Sequence, residues 1–283
     1  MNCITCRWQN VGALIAGAIA ILSCAMIGSC GEDTTSPKYH RGNSFLSLLV
    51  NTAPGMSFLG IDTSMIDGLM FSEIYYETDD RAGNDTITTH WAGFGDGNDA
   101  VMLASAQAAG LDIIGDGMSN IVQGRENREA IIPGSYVHWN VRYRSGMTFN
   151  DSILLPQRFS ITNILPYSDQ SAAQGIIIKT MNAVPGGDAV VTMRYEPART
   201  MFAGGDTSGV AGATTLPTLS LHLVVDDNGT LRIPPTELQS MPKDKVYMLL
   251  VHRFRYETRP IAAGSRAGMI AVVTEMIPVF LRS

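Results

Sequence analysis

Cysteine is missing from nearly the whole chain: of 283 residues only four are cysteine, Cys3, Cys6, Cys24 and Cys30. Everything after Cys30 therefore has no disulfide, no thiolate metal site and no cysteine nucleophile. It must be held by its apolar core, which this length permits. Basic charge is also scarce, with 20 Lys and Arg against 26 Asp and Glu and a net charge of -6. Without a basic footprint there are few phosphate counterions to release, so no nucleic-acid partner is expected. Aromatic residues make up only 7% of the chain, and most of them are needed as core. Catalytic signatures are missing as well: there is no G-x-S-x-G, no H-E-x-x-H, no P-loop and no G-x-G-x-x-G after a strand. The expectation is a protein that is not an enzyme and carries no cofactor. Carboxylate pairs of the kind that hydrolyse glycosides assemble across a fold and give no linear signal.

What is present begins with a leader. Residues 1–10 hold Arg7 and no acid, and residues 11–29, VGALIAGAIAILSCAMIGS, carry no charge. This is the n-region and h-region pattern of an export signal. As a helix the uncharged run reaches about 28 Å, close to a bilayer core, so an uncleaved anchor competes with a cleaved leader. Ile27-Gly28-Ser29-Cys30 ends the run, just before the polar Gly31-Glu32-Asp33. That order resembles the lipobox of bacterial lipoproteins. The resemblance implies cleavage before Cys30, acylation of its sulfur and amine, and lipid-bilayer anchoring of the kind that needs more than one acyl chain. Cys24, with bulky Leu22 two residues before it, is the alternative position and fits less well. Gly31 in place of the aspartate that retains enteric lipoproteins at the inner membrane favours the outer membrane, facing either the periplasm or the cell surface.

The body reads as all-β. Beyond a polar tether at 30–43 the chain breaks into short apolar or alternating runs separated by Gly, Pro, Asn and Asp, the texture of a sandwich or barrel. Two β-sandwich units are expected, an acidic one over 44–155 and an immunoglobulin-like one over 156–283, with 1–29 as the signal helix. From Asp62 to Asp116 there are eleven acids against one base, Arg81, whereas from Asp151 onward eleven acids meet twelve bases.

Tyr136 to Arg144 is the clearest strand, with Val137, Trp139, Val141 and Tyr143 inward and His138, Asn140, Arg142 and Arg144 outward. Strands are also expected at 45–50, 69–76, 86–94, 111–114, 158–164, 175–180, 188–196, 218–226, 230–234, 245–256 and 267–280. Helix and strand compete evenly over 100–109. The stretch 147–157 reads as a unit boundary, and 199–217 as a loop. Around Asp227-Asn228-Gly229 a hairpin is expected, with Val225 opposite Leu231 and Gly229 left-handed. Pro234-Pro235-Thr236 should start a helical turn. Tyr247 to Val251 should lie centrally, with Arg253 and Arg255 leaving the core.

Few side chains suggest a site. Asp96, Asn98 and Asp99 supply oxygens of the type calcium takes, but miss the D-x-[DN]-x-[DN]-G spacing and read first as turn residues. Of the histidines at 40, 90, 138, 222 and 252, none is paired at ligand spacing. In His90-Trp91 and His138-Trp139 an inward Trp puts His outward. Tyr75, Tyr76, Trp91, Phe94 and Trp139 are a possible sugar-stacking platform, and Arg253, Arg255, Arg259 and Arg266 a possible anion site or simply a solvated face. The expected role is therefore that of an envelope lipoprotein that binds a protein or polysaccharide partner or serves structurally, with glycan binding or processing as the alternative.

Overall fold

The computed structural model describes residues 66–79, 83–94, 103–115, 121–126, 131–184, 188–196, 220–261 and 265–283. The leader with Cys24 and Cys30, the tether, the 45–50 run, Asp96, Asn98, Asp99 and the 199–217 loop lie outside them.

Where the described chain is apolar with period two, it forms strands. In chain order these are β1 (Gly68–Asp79), β2 (Gly83–Phe94), β3 (Leu103–Ala108), β4 (Leu111–Asp112), β5 (Ile114–Gly115), β6 (Ile121–Glu126), β7 (Tyr136–Tyr143) and β8 (Thr148–Leu154). They continue as β9 (Ser168–Ser171), β10 (Ile176–Lys179), β11 (Asp188–Tyr195), β12 (Ser220–Asp226), β13 (Thr230–Ile233), β14 (Lys245–Pro260) and β15 (Arg266–Arg282). A single helical turn, α1 (Pro235–Leu238), follows Pro234, and its proline occupies a first-turn position whose N–H would go unbonded in any helix.

The protein is an all-β, mainly antiparallel sandwich. Among the described residues a nine-stranded sheet runs β12-β11-β14-β15-β1-β2-β6-β5, with β9 added to β15. Its inner face is covered by a four-stranded sheet, β4-β3-β7-β8, and a two-stranded sheet, β10-β13. The side chains of all three meet in one core, with Trp139, Val141 and Ile153 from the small sheet, Ile176 and Ile233 from the ribbon, and Met70, Val191, Leu249 and Val273 from the large sheet. Residues 103–108 are strand, and 111–114 divides between β4 and β5.

β14 and β15 are the centre of the large sheet. Both are buried on both faces for most of their length, and they pair antiparallel from Lys245↔Leu281 to Pro260↔Arg266. β15 then pairs in parallel with β1, from Gly68↔Ala267 to Glu77↔Met276. Proline is normally excluded from a central strand because it cannot donate to the ladder. Pro278 is tolerated because it lies where that edge of β15 changes partner, from β1, ending at Met276, to β9, starting at Val279.

The boundary expected between residues 155 and 156 runs across this sheet, since β1 and β2 pair on to β15 and β14. The described residues on both sides of it fall in one compact unit. The 147–157 stretch is not a linker. It contains β8, where Phe149 and Ile153 turn inward and Asn150-Asp151, inside the expected boundary, are strand residues. The 158–164 segment is no strand either: it makes one bridge, Ile161↔Thr180, and gives Phe159 and Ile164 to the core.

The hairpin expected at Asp227–Gly229 is also replaced. Gly229 is left-handed, at φ +85°, yet β12 pairs with β11 in the large sheet while β13 pairs with β10 above it. The turn carries the chain from one layer to the other. The cause is Arg253, which does not leave the core: it is 3% exposed, forms an ion pair with Asp227 at 2.5 Å (side chains 3% and 2% exposed), and lies over the Phe159 ring at 4.2 Å. A guanidinium on the inner face draws Asp227 inward, so the turn cannot fold back on β12.

Candidate binding face

The four-stranded sheet has one dry and one wet face. β7 alternates without exception, exposed at Tyr136, His138, Asn140 and Arg142 and buried at Val137, Trp139, Val141 and Tyr143, as expected from its pattern. The neighbouring strands give the wet face its second dimension. On β8, Ser152 lies opposite His138, Asn150 opposite Asn140 and Thr148 opposite Arg142. On β3, Gln107 lies opposite Asn140 and Ser105 opposite Arg142. Paired residues share a face, so Gln107, Asn140 and Asn150 form a row of amides across the sheet.

β3 reaches β4 through Ala109-Gly110, both at positive φ (51° and 79°), with Ala108 opposite Leu111. Two consecutive positive φ values define the turn that matches strand twist. A Cβ on Gly110 would meet nothing within 4 Å, so the backbone is open beside the row. The result is a depression of about 460 Å³ lined by Gln107, Gly110, His138, Asn140, Asn150 and Ser152, among others.

Side-chain amides are the commonest of its polar groups. Gln107 Nε2 donates to Asp112 Oδ1 at 2.6 Å, which fixes the amide and leaves its carbonyl available. Asp151, the carboxylate on the rim, is neutralised by Arg259 at 3.0 Å and accepts from the Ser152 N–H at 2.7 Å. The depression offers donors and acceptors, and its lining includes the His138 imidazole, the Ser152 hydroxyl and the Asp151 carboxylate that Arg259 holds.

Most side chains singled out from the sequence lie elsewhere. His90 is buried, 1% exposed, with Nδ1 2.9 Å from Ser72 Oγ and its ring edge-on to Trp139 at 6.2 Å. The expected inward and outward assignment for β2 is thus reversed: Thr88, His90 and Ala92 face the core, because Ala92 leaves room and Ser72 gives the imidazole a partner. Tyr76 and Trp139 are buried and Tyr75 packs against Met248, Leu250 and Met276, so these three form no surface platform. The Trp91 and Phe94 side chains lie outside the description. The arginines are engaged: Arg253 with Asp227, Arg255 with Glu257, Arg259 with Asp151 and Glu257, and Arg266 with Thr258.

On the other face of the large sheet, Thr274 Oγ1 donates to Glu73 Oε1 at 2.5 Å and lies 2.8 Å from His252 Nδ1. Glu73, His252 and Thr274 are all buried, so this hydroxyl-imidazole-carboxylate chain is closed to substrate. His222 lies 3.0 Å from Thr192 Oγ1, and burial first, then the neighbouring His252, lowers its pKa. Among the described residues, no group of three or more His, Cys, Asp or Glu is placed to hold a metal ion. No helix among them is long and apolar enough to cross a membrane.

Glu275, on the core face of β15, carries a usable signal. Burial raises its pKa from 4.5 to about 7, against the opposing effects of a 3.3 Å bond from Thr78 and the charge of Arg158. Between those two values the folded chain holds a proton that the unfolded chain has released. Stability should therefore fall as pH rises from about 4.5 to 7 and level off above. Glu275→Gln should flatten that slope and gain up to about 3 kcal/mol at pH 8, at 1.36 kcal/mol per pH unit. Urea unfolding across pH 4 to 8 measures it, and identical slopes in both proteins would defeat the assignment.

No protein-family model matches the chain, and no curated protein matches it. Among solved structures it is similar, at 10% identity and a TM-score of 0.17, to a structure titled for host cell surface retention of a 1.5-MDa bacterial ice-binding adhesin, over 76% of this chain and 66% of that one. This chain thus spans about two thirds of that structure's length. It is also similar to the complex of Dpr11 IG1 with DIP-gamma IG+IG2, at 8% identity and a TM-score of 0.19 over 76% of this chain and 96% of that one. DIP-gamma IG1+IG2 gives 9% and 0.17 over 77% and 98%. Likeness of this size has no bearing on the site.

Proposed function

We propose that this chain is a bacterial envelope lipoprotein with a non-enzymatic binding role. Acylated Cys30 ties the sandwich to the outer membrane, and the wet face of β3, β7 and β8 meets an envelope protein or polysaccharide. The observation that carries the binding role is the depression over Gln107, His138, Asn140 and Asn150, a concave polar surface rich in side-chain amides. The lipobox-like Ile27-Gly28-Ser29-Cys30 supports the anchor, and the reading calls for no cofactor.

Two measurements test the two halves. Cys30→Ala should abolish incorporation of a palmitate analogue in cells; undiminished labelling moves the anchor to Cys24 or removes it. A photo-crosslinking residue at position 138 should give an adduct in intact cells, whereas one at Thr236, exposed on α1, should not. Equal adducts from both positions, or none from 138, would overturn the assignment of this face.

A further inference from the structure

We infer that the wet face of β3, β7 and β8 is a glycan site and that its ligand is a neutral polysaccharide chain. This rests on the reading of that face as the binding face, and adds to it the class of ligand.

The first argument is the kind of group the depression presents. An amide offers a donor and an acceptor side by side, and Gln107, Asn140 and Asn150 repeat that pair across three adjacent strands. Among the described residues the side chains of Asn140, Asn150 and His138 make no hydrogen bond, so their capacity is open to a ligand. An apolar partner would cover these groups without satisfying them, at about 1–3 kcal/mol for each. A polyol matches them, because each hydroxyl both donates and accepts.

The second argument is charge. The rim carboxylate, Asp151, is already held by Arg259, and the lining named above includes no lysine or arginine. A phosphate or carboxylate ligand would find no cation inside. The guanidinium on the rim, Arg259, is already paired with Asp151 and Glu257, and Arg142 lies two residues beyond Asn140 along β7.

The third is Tyr136, which is 60% exposed. It begins the same outward row, two residues before His138, and offers a ring on which the apolar face of a sugar can stack. Tyr136 to Asn140 spans about 13 Å along the strand, and Gln107 to Asn150 about 10 Å across the sheet. A single sugar would meet only part of that array, whereas a chain lying across it reaches both the aromatic and the amides. The volume, about 460 Å³, lies within the ordinary range for ligand sites.

The test is affinity gel electrophoresis of the full chain in detergent, in gels containing dextran, laminarin, mannan, xylan or the acidic alginate. At least one neutral polymer should retard it. Asn140→Ala with Asn150→Ala should weaken that retardation tenfold or more, and Tyr136→Ala severalfold, with thermal melting unchanged because all three side chains are at the surface. If a variant does melt earlier, Asn150→Asp supplies a second probe of the same row. No retardation by any neutral polymer, or stronger retardation by alginate, would each overturn the assignment of a neutral glycan. A protein adduct from position 138 combined with no polymer binding rejects the glycan while keeping the face. Polymer binding unaffected by any of these variants rejects the face itself.

Discussion

Arg253→Leu should lower the unfolding free energy by about 3–5 kcal/mol, because it leaves the Asp227 carboxylate buried without its counter-charge. Asp227 is 1% exposed, and Arg253 is its ion-pair partner at 2.5 Å. The guanidinium also bonds the Thr180 hydroxyl and the Met181 carbonyl, both at 3.4 Å, so one side chain holds the β12–β13 turn, the end of β10 and Phe159 together. Asp227→Leu in the Arg253→Leu background should recover much of the loss, since two apolar residues carry no desolvation penalty. The non-additivity, read from urea unfolding in a double-mutant cycle, isolates the pair. A single variant within about 1 kcal/mol of the parent would mean that Arg253 does not pin the layer crossing.

Trp139→Ala should cost a similar amount, about 3–5 kcal/mol, the usual loss when a large buried ring is removed. Trp139 is 1% exposed and meets His90 of the opposite sheet edge-on at 6.2 Å, so it joins the small sheet to the large one beneath the candidate face. Trp139→Phe keeps most of the ring and should cost far less. The expected pattern is a large loss of stability for alanine, with loss of crosslinking from position 138 as the sheet loosens. If alanine leaves stability unchanged, the small sheet is held by something other than this contact.

The sequence made the strands more legible than their partners. β7 could be read residue by residue, because burial alternates along it and period two needs no knowledge of its neighbours. The central place of Tyr247 to Val251 followed from apolar residues on both faces. Pairing was another matter. His138, Asn140 and Arg142 were visible as an outward row, but the row becomes a face only when Asn150 and Ser152 are seen to be strand, and Asn-Asp favours a turn locally. Tertiary packing of Phe149 and Ile153 overrides that preference. The orientation of His90-Trp91 failed for a related reason: a Trp is normally the better core residue, and only the cross-strand Ser72 and the facing Trp139 make a buried imidazole acceptable. Arg253 looked like a departing charge because Asp227, its partner, is 26 residues away in sequence and was read as part of a hairpin loop.

The parallel pairing of β1 with β15 joins the first described strand to the last, across about 200 residues; the Thr274 to Glu73 bond spans 201. A ribosome must therefore make almost the whole body before β1 meets its neighbour, and until then β14 also lacks the strand that lies between them. Closing so long a loop is slow. For the exported lipoprotein proposed above, late closure would be an advantage: the polypeptide would remain threadable until its last described strand arrives and completes the sheet.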